Sequence, residues 1–400
     1  MNNIRKLTDS LFWVGVNDRR IALFENVYPV PTGMSYNSYV LLDEKTALFD
    51  TVDASFTHDF LENVTAALKG RTLDYLIINH MEPDHCASIA DVIAVYPEAK
   101  IVCTAKAVGM MKQFFDFDVD SRAILVKEGD TISLGSHELT FVMAPMVHWP
   151  EVMVTYEKTE KILFSADAFG SFGAVDGNIF ADEIDDKVAW LSEARRYYTN
   201  IVGKFGMSVQ GLLKKASGLE IRMICPLHSL VWRKDLDWLL EKYSRWSSYE
   251  PEEKTVLIAY ASVYGHTEQA ADAIAAKLAE RGVPNIAVYD VSKTHPSYIL
   301  ADAFRCSALV FASITYNNGI FCNMETLLHQ IAAHNLQNRT VAFLENGSWA
   351  PVSVKHMTDT FASLKNMKVL EDSLTIRSSL KNCQGDCLEA LVDSIFQSLA

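Results

Sequence analysis

The chain has 400 residues, 49% hydrophobic and 10% aromatic, with a formal net charge of -14. That is apolar enough for packed cores and too apolar for intrinsic disorder. The acidic balance and the lack of a basic stripe disfavour nucleic acid, whose phosphates demand clustered Lys and Arg. No run reaches the roughly 18 apolar residues of a membrane span, and the N-terminal run "LFWVGV" is too short for a secretory core, so the expected location is the cytoplasm.

Length alone sets a prior of two domains. The first part reads as short β-type runs: "NSYVLLD", "TALFDTV", "DYLIINH", "KIVCTA", "AILVKEGDTISL", "HELTFVMAP", "VMVTYE" and "KILFSADA". Helical segments such as "FTHDFLENVTAALKG" and the long "DKVAWLSEARRYYTNIVGKFGMSVQGLLKKA" fall between or after them. This succession predicts an α+β sandwich of packed sheets with helices outside. After the helical "DLDWLLEKYSRW", a polar Ser, Pro and Glu stretch at 247–253 marks a seam, giving domains at 1–250 and 251–400. Beyond it strands and helices alternate strictly, from "TVLIAYAS" and "TEQAADAIAAKLAERG" to a last helix through "CLEALVDSIFQSL". Five such units predict an α/β, doubly wound parallel sheet. The seven cysteines are scattered and form no CxxC pair, which fits reduced thiols and argues against a rubredoxin-like or zinc-ribbon module. Cys383 and Cys387 share a helix start and read as unrelated thiols.

One stretch, "NHMEPDH" at 79–85, crowds His80, Glu82, Asp84 and His85 around Pro83. It follows an apolar run, and Pro83 predicts a loop there because proline cannot continue a helix. Such a loop can turn His80 and Glu82 toward one point and Asp84 and His85 toward a neighbouring one, which suits two metals better than one. His148, Asp167 and His228 also follow buried-type runs, in "FVMAPMVHWP", "ILFSADAFG" and "MICPLHSLVW". Any one of them alone would be an ordinary hydrogen-bonded residue; four histidines and three carboxylates at strand ends together predict a metal site. His58, His137, His295, His329, His334 and His356 read as surface or packing residues, and Trp149 as packing beside His148 rather than a roof.

The set resembles the metallo-β-lactamase fold, whose HxHxDH motif with later His, Asp and His holds two metals; here Glu82 replaces the second histidine. The HxExDH variant resembles the flavodiiron proteins, in which the metals are iron. A third carboxylate makes the site harder and more anionic, which favours iron and its ferric state. The resemblance implies that His80, Glu82 and His148 hold one iron, Asp84, His85 and His228 the other, and that Asp167 bridges them.

In the second domain the first strand opens onto "SVYGHT", Ser262, Val263, Tyr264, Gly265, His266 and Thr267. Hydroxyls and backbone N–H groups at a helix N-terminus suit a phosphate. No GxGxxG or GxxxxGK[ST] occurs, which counts against a dinucleotide and removes a P-loop. The loop resembles that of flavodoxin, where it holds flavin mononucleotide (FMN). Loops after the third strand (Thr315, Tyr316, Asn317, Asn318, Gly319) and the fourth (Asn346, Gly347, Ser348, Trp349) lie at the same edge and offer aromatic faces and amides for a flavin.

The flavodiiron resemblance covers the whole chain: a metallo-β-lactamase-like αββα sandwich followed by a flavodoxin-like five-strand sheet, a two-domain arrangement fed by a separate electron donor. It implies an FMN-dependent diiron oxidoreductase that reduces dioxygen to water, nitric oxide to nitrous oxide, or both. Reduced FMN and two ferrous ions together match the four electrons that dioxygen needs. Rubredoxin or reduced deazaflavin is the implied donor, and a head-to-tail homodimer or homotetramer would bring the flavin of one chain to the irons of another. The alternatives are a binuclear zinc hydrolase joined to a flavodoxin-like domain, against which Glu82 argues, and a non-catalytic redox flavoprotein, against which the complete ligand set argues.

Overall fold

The computed structural model describes residues 2–185 and 187–400. The chain divides into two compact units, Met1–Tyr198 with Met207–Ser244, and Thr199–Gly206 with Arg245–Ala400.

The first unit contains a seven-stranded sheet in the order Arg5–Lys6, Leu11–Trp13, Tyr39–Leu42, Thr46–Phe49, Tyr75–Ile77, Lys100–Cys103, Ala123–Leu125. Its pairings are antiparallel up to Thr46–Phe49 and parallel beyond. A second sheet runs Thr131–Ser133, Glu138–Met143, Met153–Glu157, Ile162–Phe164, Met223–Cys225. The two faces meet where Phe49 stacks on Phe164, centroids 3.7 Å apart, and Tyr39 packs edge-on to the same ring. Thr46–Phe49 is buried at every position, as expected of a strand covered on both faces. The helix Thr57–Leu68 buries Phe60, Val64, Ala67 and Leu68, one apolar stripe at helical spacing.

Three elements differ from the sequence expectation. The run "AILVKEGDTISL" is two strands in two sheets, Ala123–Leu125 and Thr131–Ser133, separated by a turn with Gly129 at φ 80°. The long helical segment is broken: Lys187–Tyr197 gives way to a π turn at Tyr198–Val202 and a 3-10 turn at Gly203–Phe205 before the helix Gly206–Ala216. Gly203 and Gly206 weaken the helix locally, and at Gly206 a Cβ would lie 2.4 Å from the Ser247 carbonyl oxygen. The stretch at 79–85 is not wholly a loop, because Pro83 occupies the first turn of a short helix, Pro83–Cys86. There its missing N–H costs nothing.

The second unit is a parallel sheet in the order Ala287–Asp290, Glu253–Ala261, Cys306–Tyr316, Thr340–Asn346, Lys368–Ile376. This is the 2-1-3-4-5 order of a doubly wound fold. Helices His266–Glu280, Pro296–Arg305, Cys322–Ala333, Ser353–Ala362 and Gly385–Gln397 alternate with the strands. Val256, Ile258, Val310, Leu344, Ile274 and Leu391 form part of its core. Among the described residues no helix is long and apolar enough to cross a membrane.

Gly15 marks a close backbone approach, since a Cβ there would lie 2.3 Å from the Tyr36 carbonyl oxygen and 2.8 Å from Asn37 Cα. Gly15→Ala is expected to cost about 2–3 kcal/mol in urea denaturation, because main chain cannot swing aside as a side chain does.

Candidate metal centre

The strand Tyr75–Ile77 ends at a turn pinned from both sheets. Asp50, just past the strand Thr46–Phe49 and at φ 54°, accepts from Asn79 N and Nδ2 at 2.8 Å and from His80 N at 3.1 Å. Its full burial pushes the carboxyl up to about 6 against the pull of those donors. From the other sheet, Thr155 Oγ1 donates to Asn79 Oδ1 at 2.7 Å and Met153 N to Asn79 O at 3.1 Å. Backbone position at His80 is thereby fixed before the site begins.

His80 Nδ1 donates to Glu151 Oε1 at 2.8 Å, and the same carboxylate oxygen accepts from Met81 N at 2.9 Å. His228, beyond the strand Met223–Cys225, donates from Nδ1 to Ser35 O at 2.7 Å. In both rings the outer nitrogen is committed, so Nε2 faces inward in a defined orientation. Asn37 steadies the segment around His228 by donating to Pro226 O and Ser229 O at 2.9 Å each. Asp167 sits on a tight turn with Ala166 at φ 52° and Phe169 at φ 71°, held by Phe169 N donating to Tyr243 Oη at 2.6 Å.

All seven residues expected from the sequence converge, and all are buried. They separate into His80, Glu82, His148, Asp167 and Asp84, His85, His228, with the ligand atoms of each group within 4.8 Å of one another. Asp167 turns one oxygen to each group: Oδ2 lies 3.1 Å from His148 Nε2 and 3.5 Å from His80 Nε2, Oδ1 3.2 Å from His85 Nε2 and 3.7 Å from His228 Nε2. Glu82 Oε2 is 3.2 Å from His80 Nε2 and 3.0 Å from His148 Nε2. Asp84 Oδ2 is 3.3 Å from the Nε2 atoms of both His85 and His228, which stand 3.0 Å apart.

Such packing of inward lone pairs demands positive charge at the centre. Both oxygens of Asp84 and Oδ1 of Asp167 are buried without a hydrogen-bond partner, so the donor set has capacity that the protein leaves unused. Burial alone would lower the His80 and His85 imidazoles, yet the carboxylates, Asp167 for His80 and Asp84 for His85 foremost, hold both above the usual range. His148 is raised to about 9 by Asp167 and Glu82 against its own burial. Burial would likewise raise Glu82 and Asp167, but the surrounding histidines override it and hold both low. Four imidazoles and three carboxylates, with no thiolate among them, are a nitrogen and oxygen set that fits a pair of first-row metals such as iron.

Aromatic rings wall the cluster. Trp149 meets His80 edge-to-face at 5.4 Å and His148 at 6.3 Å. Phe24, Tyr36 and Tyr197 surround His228 at 5.6, 6.0 and 5.4 Å. The Tyr197 hydroxyl is buried without a partner. The carboxyl of Glu25, at φ 50°, is pushed up to about 8 by partial desolvation and by the neighbouring Glu82 carboxylate. Asp50, Glu151, Ser35, Phe24, Glu25, Tyr36 and Tyr197 were not anticipated from sequence. The one usable signal was an acid closing or opening an apolar run, in "TALFD" and "PEVMVTYE".

In the second unit the three expected loops sit side by side, because the strands Glu253–Ala261, Cys306–Tyr316 and Thr340–Asn346 are parallel neighbours. Gly265, at φ 89°, caps the helix His266–Glu280, and its N–H donates to Ser262 Oγ at 3.1 Å. Thr267 is buried, its hydroxyl accepting from Asn346 Nδ2 at 3.2 Å, while Thr315 Oγ1 accepts from Val352 N at 2.9 Å. Asn317 and Asn318, at φ 50° and 58°, form the two-residue turn of a hairpin pairing Tyr316 with Gly319. The loops thus tie to one another while Tyr264, Trp349 and Tyr316 stay 90%, 75% and 46% exposed. Uncovered aromatic faces beside a helix N-terminus fit a flat ring system carrying a phosphate.

Two family models match the chain: an ODP family beta lactamase over residues 34–229 and a flavodoxin domain over residues 257–386. The anaerobic nitric oxide reductase flavorubredoxin of Aeromonas hydrophila is 32% identical over 347 residues, covering 85% of this chain and 69% of that protein. The rubredoxin oxygen:oxidoreductase of Desulfovibrio gigas superposes with a TM-score of 0.92 at 26% identity, covering 99% of this chain and 98% of that one. The flavodiiron protein of Giardia intestinalis also gives 0.92, at 25% identity, covering 100% and 96%.

Two outcomes are expected. Glu151→Gln keeps the shape but loses the charge behind His80, and is expected to weaken metal binding about 10- to 100-fold in a chelator competition. Imidazoles with raised pKa values carry protons that a metal must displace, so metal loading at pH 7 should release protons to a weakly buffered solution. Affinity should accordingly fall as pH drops below about 9, where His148 is protonated.

Proposed function

This chain belongs to the flavodiiron protein family and is an oxidoreductase, and from that premise we propose that it reduces dioxygen to water, nitric oxide to nitrous oxide, or both. The observation that carries the reading is the division of one buried cluster into two ligand groups with an Asp167 oxygen offered to each. Residues 1–250 are then the metal-bearing domain and 251–400 the flavin-bearing one. His80, Glu82 and His148 would hold one iron and Asp84, His85 and His228 the other, with Asp167 between them. Ser262, Gly265, His266 and Thr267 would take the phosphate of FMN, and Tyr264, Tyr316, Asn317, Asn318, Gly319, Gly347, Ser348 and Trp349 its ring.

Bound there, an iron pair supplies one-electron couples and open coordination positions for a diatomic gas. The chain contributes charge, orientation and dryness. Glu82 adds a carboxylate where an imidazole would be neutral, which supports iron over the zinc of a hydrolase. Glu151 and Ser35 hold the His80 and His228 rings against rotation. Phe24, Tyr36 and Tyr197, joined by Trp149, which was expected only to pack beside His148 but also lies edge-to-face on His80, exclude bulk water from the pocket, so that a gas meets metal rather than solvent.

The electron donor is an external one, a rubredoxin-like iron protein or reduced deazaflavin, in keeping with the name of the Desulfovibrio gigas neighbour. The cytoplasm is the proposed location. A head-to-tail homodimer, or a tetramer of two such pairs, would let the flavin of one chain serve the metals of its partner. Specific activity should then fall on dilution below the association midpoint; a monomer that stays fully active would contradict the dimer.

The test of function is elemental analysis followed by anaerobic gas consumption with one artificial donor. Two irons and one FMN per chain, with steady uptake of either gas, are expected; no iron, or uptake of neither gas, would overturn the reading. Glu82→Ala should lower turnover about 100-fold or more through lost metal while the flavin spectrum is unchanged.

A further inference from the structure

Away from the metal cluster, a cavity of about 270 Å³ opens in the first unit. Its polar lining is Arg5, Arg19, Asn3 and Asn17, two cations and two amides with no carboxylate among the lining residues. In a chain of net charge -14, a concave site of opposite sign is not a by-product of composition.

The cations are held rather than loose. Arg5, on the strand Arg5–Lys6, donates from Nη1 to the Gly177 carbonyl at 2.7 Å. A carbonyl orients the guanidinium but does not neutralise it. Arg19 donates from Nη2 to the Val175 carbonyl at 2.8 Å. Its ion pair with Asp176, also 2.8 Å, is to a side chain that is 87% exposed and stands outside the lining, where solvent screens it. Asn17 Oδ1 accepts from Val175 N at 2.7 Å, which leaves its amide N–H groups to donate elsewhere. Three polar side chains are therefore pre-set by one short segment, 175–177, and each keeps donors in hand.

The rest of the wall is apolar. Trp13 is 2% exposed and its indole N–H is committed to Asn37 Oδ1 at 2.8 Å, so the ring is fixed and closes the cavity from behind. Ile179, also 2% exposed, lies in the same lining. Fixed donors in front of a closed apolar wall describe a site for a small anionic group. None of these residues belongs to the metal cluster.

We propose that this cavity binds a small organic oxyanion, a carboxylate or phosphate monoester, its charged head between Arg5 and Arg19. The test is calorimetric titration of the full chain, loaded with iron and FMN so that the flavin loops are filled, with phenyl phosphate, benzoate and neutral phenol. Saturable binding of one anion per chain is expected, with phenol silent; the tighter of the two anions identifies the head group. Arg5→Gln with Arg19→Gln should weaken that binding at least about tenfold. Both arginines are exposed, and retained flavin and circular dichroism would confirm that the variant is folded. Crystals of the unaltered chain soaked in the better anion should show it between the two guanidinium groups. No saturable heat with either anion up to about 10 mM, undiminished binding in the double variant, or soaked anion found only elsewhere would each overturn the proposal.

Discussion

Buried lone pairs that face one another govern the first unit. Seven side chains bring carboxylate oxygens and imidazole nitrogens into one pocket at separations of 3.0 to 3.7 Å, a grouping that repels itself unless protons or metal ions lie within it. Several supporting contacts follow from that constraint. Asp50 from one sheet and Thr155 from the other fix Asn79, while Glu151 and Ser35 turn two rings inward. The sandwich is what lets residues more than a hundred positions apart share that pocket, since each ligand stands past a strand end, on the turn there or, for Asp84 and His85, on the short helix Pro83–Cys86.

Much of this was legible in the sequence, for a physical reason. The HxExDH spacing is local chemistry, and His148, Asp167 and His228 each follow an apolar run that had to be buried, so seven positions could be nominated without knowing the path of the chain between them. The alternating second unit was equally readable, because β-branched runs and alanine-rich helices each repeat their own period. What escaped was contact at long range. Glu151 is 71 positions from His80 and Ser35 is 193 from His228, and neither carries a mark of its partner. The N-terminal strands at 5–36 run only two or three residues each, too short for alternation to emerge. The long helical run at 187–216 kept its periodicity across a π turn because periodicity does not register a close approach such as that at Gly206.

At the sheet edge of the second unit the same logic runs in reverse. Instead of buried polar atoms in want of a cation, it presents uncovered rings, Tyr264 and Trp349 above all, beside a helix N-terminus. Thr267 and Asn346 tie the first loop to the third, and Thr315 and Val352 tie the second to the third, so the three loops are linked before any flat ligand arrives. A redox cofactor gains from such a surface, because a site already in place need not reorganise with each electron.

The account stands or falls on how many metal atoms the seven side chains hold and which element they are. X-ray diffraction from crystals of the protein as purified, recorded on both sides of the iron absorption edge, addresses this directly. The account predicts two iron peaks on opposite sides of Asp167, one against His80, Glu82 and His148 and the other against Asp84, His85 and His228. A single peak, or zinc in place of iron at both positions, would contradict it.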